Sequence, residues 1–240
     1  MTSEIPAGEK AQPRGWRLWA RGVSRLALVI AATGGILFAS TGRLDWLAAC
    51  LLTGGYALYL AVVMIWGVRN ASELAKERGR VAANVKTWDK IINAGYALLL
   101  IALLIVAGLD AGRYAWSAFP PALQLIGGAG LVLSGWAIWR VLAENTFASR
   151  YARIQDDRGQ TVVSSGPYRH VRHPMYAAII VLMVCIALAL GSWWAVIPAG
   201  LIGVLFVLRT ALEDRMLHEE LAGYREYAAQ VRYRLVPGLW

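Results

Sequence analysis

Six apolar runs separated by polar connectors set the plan of the chain. Leu26 to Gly42 carries no charge, and Leu44 to Val68 admits Asp45 only at its start. Ile91 to Leu109 is closed by Asp110, and Pro121 to Ala143 follows it. Met175 to Leu190 and Trp193 to Leu208 come last, parted by Gly191 and Ser192. Uninterrupted runs of this kind predict membrane-spanning helices rather than strands or amphipathic surface helices. The last two have 16 residues each, about 24 Å at 1.5 Å per residue. They therefore read as a tight helical hairpin that needs its flanking aromatic and basic residues to cross a hydrocarbon core of about 30 Å. Pro198 inside the second arm is a candidate kink.

Composition agrees. Of the 240 residues, 58% are hydrophobic and only 16% charged, far from the balance of a soluble domain. The fold class that follows is an all-α integral membrane protein of about six transmembrane helices. Residues 1–143 supply four spans with a charged loop at 69–90. Residues 144–240 hold a polar connector, the helical hairpin and a C-terminal amphipathic segment. The net charge of +9 does not argue for nucleic acid, because no binding module accompanies it. Its distribution does carry information. Twenty-two of the 24 lysines and arginines lie before the first run, in 69–90, in 140–172 or after 208, leaving Arg43 and Arg113 for the opposite side. Positive residues mark the cytoplasmic face, so both termini are expected there, in what reads as a bacterial inner membrane. A cleavable leader ending near Phe38-Ala39-Ser40 fits less well, since the first run exceeds the usual apolar core of a signal peptide. Cys50 and Cys185 both sit in apolar runs and are expected to be packing residues. Gly127, Gly128, Gly130, Ser134 and Gly135 would allow close helix contact.

Two connectors differ in character. Arg69 to Lys90, with Glu73, Glu77 and Asp89, reads as solvated surface. Glu144 to Arg172 is longer, and alternation in Tyr151 to Gln155 and Thr161 to Val163 around Asp156-Asp157-Arg158-Gly159 predicts a short irregular hairpin. It ends in the densest polar stretch of the chain, Gly166-Pro167-Tyr168-Arg169-His170-Val171-Arg172-His173-Pro174-Met175-Tyr176. Each residue has a structural use: Pro174 suits a first helical turn, Tyr176 an interface, and the arginines a cytoplasmic flank. A histidine at a membrane boundary is harder to assign to structure alone. His170 and His218 are read as solvated; His173 is a site candidate.

The Arg172-His173-Pro174-x-Tyr176 core behind Gly166-Pro167-Tyr168 resembles the signature of the isoprenylcysteine carboxyl methyltransferase family. That family also contains phospholipid N-methyltransferases and methanethiol S-methyltransferases. The resemblance continues through Arg209, Glu213-Asp214-Arg215-Met216-Leu217, Gly223-Tyr224-Arg225-Glu226-Tyr227 and Val236-Pro237, so it covers roughly residues 144–240. It implies S-adenosylmethionine as methyl donor, and no Gly-rich dinucleotide fingerprint competes with that. It further implies that Tyr168, Arg172, His173, Pro174, Tyr176 and Glu213 bind the donor and that Arg209 positions the acceptor. No metal is implied. A carboxylate acceptor needs no general base, whereas an amine or thiol would, for which Glu213 is the candidate. Gln160 and Asp214 depart from the pattern, since prenylcysteine methylating relatives often carry a histidine and a second glutamate there.

The expected activity is methyl transfer at the cytoplasmic membrane face to a lipophilic acceptor, foremost a carboxylate of isoprenylcysteine type. Phospholipid N-methylation and thiol S-methylation are the alternatives. A non-enzymatic protein binding membrane lipids or a partner, or a sterol reductase resembling the same C-terminal region, would fail to bind the methyl donor. The charge distribution also makes a topological prediction. A fluorescent reporter active only in the cytoplasm should be bright when fused after Trp240, and an enzyme active only outside the cytoplasm should be silent there.

Overall fold

The computed structural model describes residues 15–79 and 85–240; the N-terminal polar stretch through residue 14 lies outside them. Eight α-helices follow in order: α1 Gly15–Thr41, α2 Leu47–Asn70, α3 Ser72–Gly79, α4 Thr87–Ala107, α5 Pro121–Glu144, α6 Pro174–Leu190, α7 Val196–Glu220 and α8 Tyr224–Gln230. A π-helical turn, Gly108–Tyr114, prolongs α4, and no strand occurs among the described residues. Five helical segments are long and apolar enough to span a bilayer, and α6, with 17 residues, is a shorter apolar helix. The protein is an all-α integral membrane protein.

The apolar helices share a core built from Leu37, Leu103, Ala107, Leu190, Ile202 and Phe206. Leu58, Leu98, Leu125 and Val132 face outward, as expected where lipid is the solvent and only the backbone must be satisfied internally. The most extensive helix contact joins α5 to α6. Small residues make it possible: a Cβ on Gly127 would sit 2.5 Å from the backbone nitrogen of Ala189, and one on Gly130 would sit 2.3 Å from Cys185 Sγ. Gly128 faces open space. Cys185 is buried in this contact, whereas Cys50 is exposed on α2, on a helix whose outer side has no protein to pack on.

At the end of the bundle remote from the His173 motif, Asp110 is fully buried. It accepts hydrogen bonds from the Ser117 hydroxyl at 2.6 Å and the Ser192 hydroxyl at 2.5 Å. These bonds tie the end of the third apolar segment to the turn between α6 and α7. Pro198 falls in the first turn of α7, where a missing N–H costs nothing, so it marks the helix start and not a mid-helix kink. The helix then runs without interruption past Leu208 to Glu220. Arg209 and Glu213 therefore stand on one continuous rod.

Both connectors also differ from the sequence expectation. The 151–163 segment forms no hairpin; a single 3-10 turn spans Asp156–Arg158, and side chains take the place of a partner strand. The 69–90 loop is not merely solvated surface. It contains α3, and its Glu77 and Asp89 are buried with 5% and 0% exposure, because each neutralises an arginine brought from far along the chain.

The glycine contact yields a direct test. Gly127→Ala should lower the thermal unfolding temperature of the detergent-solubilised protein, by overpacking worth about 1–3 kcal/mol, while Gly128→Ala leaves it unchanged. Equal behaviour of the two variants would show that α5 and α6 do not meet at this register.

Candidate functional site

The polar motif wraps the start of α6. Gly166 opens it with φ +55°, and a Cβ there would lie 2.7 Å from Glu144 Oε2, so glycine serves both the left-handed conformation and the close approach. A 3-10 turn, Gly166–Arg169, follows. His173 then stands at the N-cap position and Pro174 begins α6. The backbone N–H groups of Arg172 and His173 donate to the carbonyls of Tyr233 and Arg234, both at 2.9 Å, which lays the C-terminal tail along the motif.

One buried carboxylate organises this region. Asp214, 1% exposed, receives Arg172 through Nε at 2.8 Å and Nη2 at 2.9 Å. Arg234 Nε reaches it at 2.8 Å, the Tyr224 hydroxyl at 2.9 Å, and His173 Nε2 lies 3.3 Å away. Arg172 also donates through Nη1 to the carbonyls of Val231 and Arg232 at 2.8 Å each. Four of its five N–H groups are thus committed within the protein. Desolvation opposes its charge, but the bonds and field of Asp214 prevail and its pKa stands above the ordinary arginine value. His218, expected to be solvated, is half-buried and lies with Nδ1 2.7 Å from the Asp214 carbonyl; His170 is exposed.

The adjoining carboxylate is handled differently. Glu213 accepts a short hydrogen bond from the Tyr176 hydroxyl through Oε2. The Tyr176 ring stacks on His173 with centroids 5.8 Å apart and lies against Phe206. Behind it, the Arg209 guanidinium sits 5.1 Å from the ring centroid. Arg209 pairs with Asp89 Oδ1 at 2.9 Å and donates to the Arg150 carbonyl at 3.0 Å. The i,i+4 spacing of Arg209 and Glu213 thus does not produce an ion pair between them. Arg209 Nε is buried without a hydrogen-bond partner.

These groups border an open cleft between the 145–163 connector, the start of α6 and the part of α7 that carries Glu213. Tyr168, Arg172, His173, Pro174, Tyr176 and Glu213 all line it; Arg209 does not. Its remaining wall mixes Phe147, Val162, Met216 and Leu221 with the polar Asn145 and Gln160. The Tyr168 hydroxyl accepts from Asn145 Nδ2 at 2.8 Å, and burial drives its pKa well above the usual phenol value. The Tyr227 hydroxyl donates to the Tyr168 carbonyl at 2.7 Å, and burial pushes its pKa up to about 12. Both phenols are neutral hydrogen-bonding groups at neutral pH. Gln160 Oε1 accepts the Gln155 backbone N–H at 2.8 Å, a bond that fixes the amide orientation and leaves its Nε2 donors uncommitted among the described residues.

The connector 145–163 is held over the cleft from outside. Glu77 binds Arg153 at 2.7 Å, Arg78 Nη1 donates to the Ala148 carbonyl at 2.8 Å, and Asp89 Oδ2 accepts the Ala152 N–H at 3.0 Å. Sequence reasoning missed Asp89, Glu77 and the central part of Asp214. Only Asp214 carried a signal, through its place beside Glu213 in the second motif.

The cleft thus combines one partly used carboxylate, neutral phenols, an apolar wall and an amide donor. Comparison with known families gives a match over residues 122–222 to the model described as phospholipid methyltransferase. No curated protein matches the chain.

The two carboxylates should separate in mutation. Asp214→Asn should cost stability by about 3–5 kcal/mol, the range for breaking a buried ion pair, and should expose the tail after Gln230 to limited proteolysis. Glu213→Gln should leave both readouts near the native values.

Proposed function

From the match of residues 122–222 to the phospholipid methyltransferase model, we propose that the protein is a membrane methyltransferase that uses S-adenosylmethionine to methylate a lipophilic acceptor at the cytoplasmic face. The observation that carries the reading is the convergence of six motif residues, from two segments about 40 positions apart, on one cleft. The donor supplies a methyl group on a positively charged sulfur. The chain's own residues hold and aim it. Glu213 takes the ammonium, with the Tyr176 hydroxyl fixing the carboxylate rotamer. His173 and Pro174 form the edge where α6 begins, and Tyr168 contributes an apolar face with a fixed hydroxyl. Arg172 acts through Asp214 as a positioning residue that keeps His173 and the tail in register. An in-line displacement gains most of its rate from such fixed placement of the reactants.

The isoprenylcysteine carboxylate is the acceptor that an unpaired Arg209 would serve. Here the Arg209 charge is already met by Asp89, and its plane braces Tyr176. It orients the acceptor side of the site through Tyr176 and through its remaining Nε donor. Placement of the site at the helix ends allows an acceptor to keep its hydrocarbon in the bilayer while its head meets the donor. Both termini, and with them the site, are assigned to the cytoplasm on the positive-inside distribution.

Donor binding by purified protein tests the reading. Glu213→Gln should weaken S-adenosylmethionine binding by roughly 10-fold to 150-fold, the worth of one charge-assisted bond of about 1.5–3 kcal/mol, at unchanged thermal stability. Arg209→Lys, which loses the planar fork, should reduce turnover more than donor affinity. Unaltered donor binding by Glu213→Gln would remove that residue from the donor site, and absence of donor binding by the native protein would defeat the assignment.

A further inference from the structure

Two arginines next to the site have no carboxylate partner among the described residues. Arg78, on α3, is partly buried, and its only hydrogen bond among the described residues goes to the Ala148 carbonyl. Arg150 is exposed, and no hydrogen bond or ion pair of its side chain is recorded among the described residues. Arg78 and Arg209 grip carbonyls only two residues apart, Ala148 and Arg150, which an extended chain separates by about 7 Å at most. Three guanidinium groups are therefore gathered around three residues of connector, and only Arg209 has an acid beside it. Burial, and after it the like charge of Arg150, holds the Arg78 pKa below the ordinary arginine value, while the Tyr59 and Tyr176 phenols oppose the shift. Like charges that close are costly unless an anion joins them.

Neither Arg78 nor Arg150 lines the donor cleft. Ser149 and Tyr151 line the cleft but Arg150 between them does not, as alternation along an extended segment requires. On α2, close enough to act on the Arg78 charge, the Tyr59 hydroxyl is buried without a hydrogen-bond partner among the described residues. Its ring passes Gly135 of α5, where an added Cβ would lie 3.3 Å away. A hydroxyl left unsatisfied at that depth costs about 1–3 kcal/mol unless something else bonds to it.

We propose that Arg78 and Arg150, with the Tyr59 hydroxyl, form an anion subsite on the membrane side of Tyr176 that holds the phosphate of the acceptor's headgroup. Its role rests on the methyltransferase reading, whereas its ligand chemistry does not. Phosphate suits the site better than a carboxylate. Two arginines and a phenol approach from different elements and match a tetrahedral oxyanion, which keeps oxygens to spare. A carboxylate held there would have its reacting lone pairs occupied by the arginines. With the phosphate anchored, the rest of the headgroup can extend past Tyr176 toward Glu213 and present its nucleophile to the donor. Arg78 lies outside the family-matched segment, so this chain's choice of acceptor would be set partly by its own α3.

The test uses the full chain in uncharged detergent and measures binding of dihexanoylphosphatidic acid, dihexanoylglycerol, a carboxylate of equal chain length and inorganic phosphate, each without methyl donor. The lipid phosphate should bind at least about 10-fold more tightly than the neutral glycerolipid and the carboxylate, the scale of one charged hydrogen bond. Arg150→Gln should abolish most of that preference and leave S-adenosylmethionine affinity unchanged. The Arg150 side chain makes no hydrogen bond or ion pair among the described residues, so the variant should fold; Arg78→Lys, keeping the charge, should give an intermediate preference. Equal binding of phosphate, carboxylate and neutral lipids would overturn the proposal, as would a preference that survives Arg150→Gln. Inorganic phosphate binding as tightly as the lipid would identify a free-anion site and overturn the acceptor assignment. If the lipid results hold but the native protein binds no methyl donor, the subsite stands and the methyltransferase reading falls.

Discussion

The site depends on the burial of one charge, that of Asp214. A carboxylate with 1% exposure is tolerable only when donors replace the lost water, and here Arg172, Arg234, Tyr224 and His173 do so. Those donors come from the motif before α6, the C-terminal tail and α8, so satisfying a single anion assembles three separated segments on α7. Removing any one donor leaves the others with an imperfectly compensated charge in a low dielectric. This is how the tail is held against the motif, through two backbone bonds and the Arg234 side chain.

Much of the fold is legible in the sequence because its signal is contiguous. A run such as Pro121 to Ala143 needs no partner to be recognised, and its glycines foretell a close contact whose other side, α6, only the structure identifies. The connectors are less legible because their meaning lies in residues far away. Glu77 and Asp89 look like ordinary loop acids until Arg153 and Arg209 arrive, 76 and 120 positions later. Local spacing even misleads, since Arg209 and Glu213 have the separation of a helical ion pair and yet point their charges to Asp89 and Tyr176. The motif residues were visible because they are nearly consecutive; their division between holding the protein together and facing the cleft was not.

The failed hairpin between 151 and 163 shows the same physics. The alternation of small or polar with larger residues is real, but the backbone groups that a strand would pair are taken by side chains. Gln155 donates to the Phe147 carbonyl, Arg78 to Ala148 and Arg209 to Arg150, while Asp89 accepts from Ala152 and Gln160 from Gln155. Every buried backbone donor and acceptor must find a partner, and here five side chains from four parts of the chain supply one. A loop satisfied this way is fixed by the bundle beneath it, which gives the cleft a firm roof without secondary structure.

Glu213 and Asp214 are chemically similar neighbours whose environments give them opposite tasks. Successive residues on a helix point about 100° apart, so α7 turns Asp214 into the motif and tail and Glu213 toward the cleft and Tyr176. The first is saturated by cations and phenols; the second has one hydroxyl and capacity to spare. On the other side of Tyr176 the balance reverses, with Arg78 and Arg150 short of anions. In the proposed arrangement Tyr176 would stand between a negative charge facing the cleft and positive charge facing the bilayer. A cationic donor and an anionic amphiphile would be drawn to opposite faces of the same ring, one through water and the other through lipid. A soluble scaffold has no counterpart to the second route, and this makes the membrane helices part of the chemistry proposed for the site.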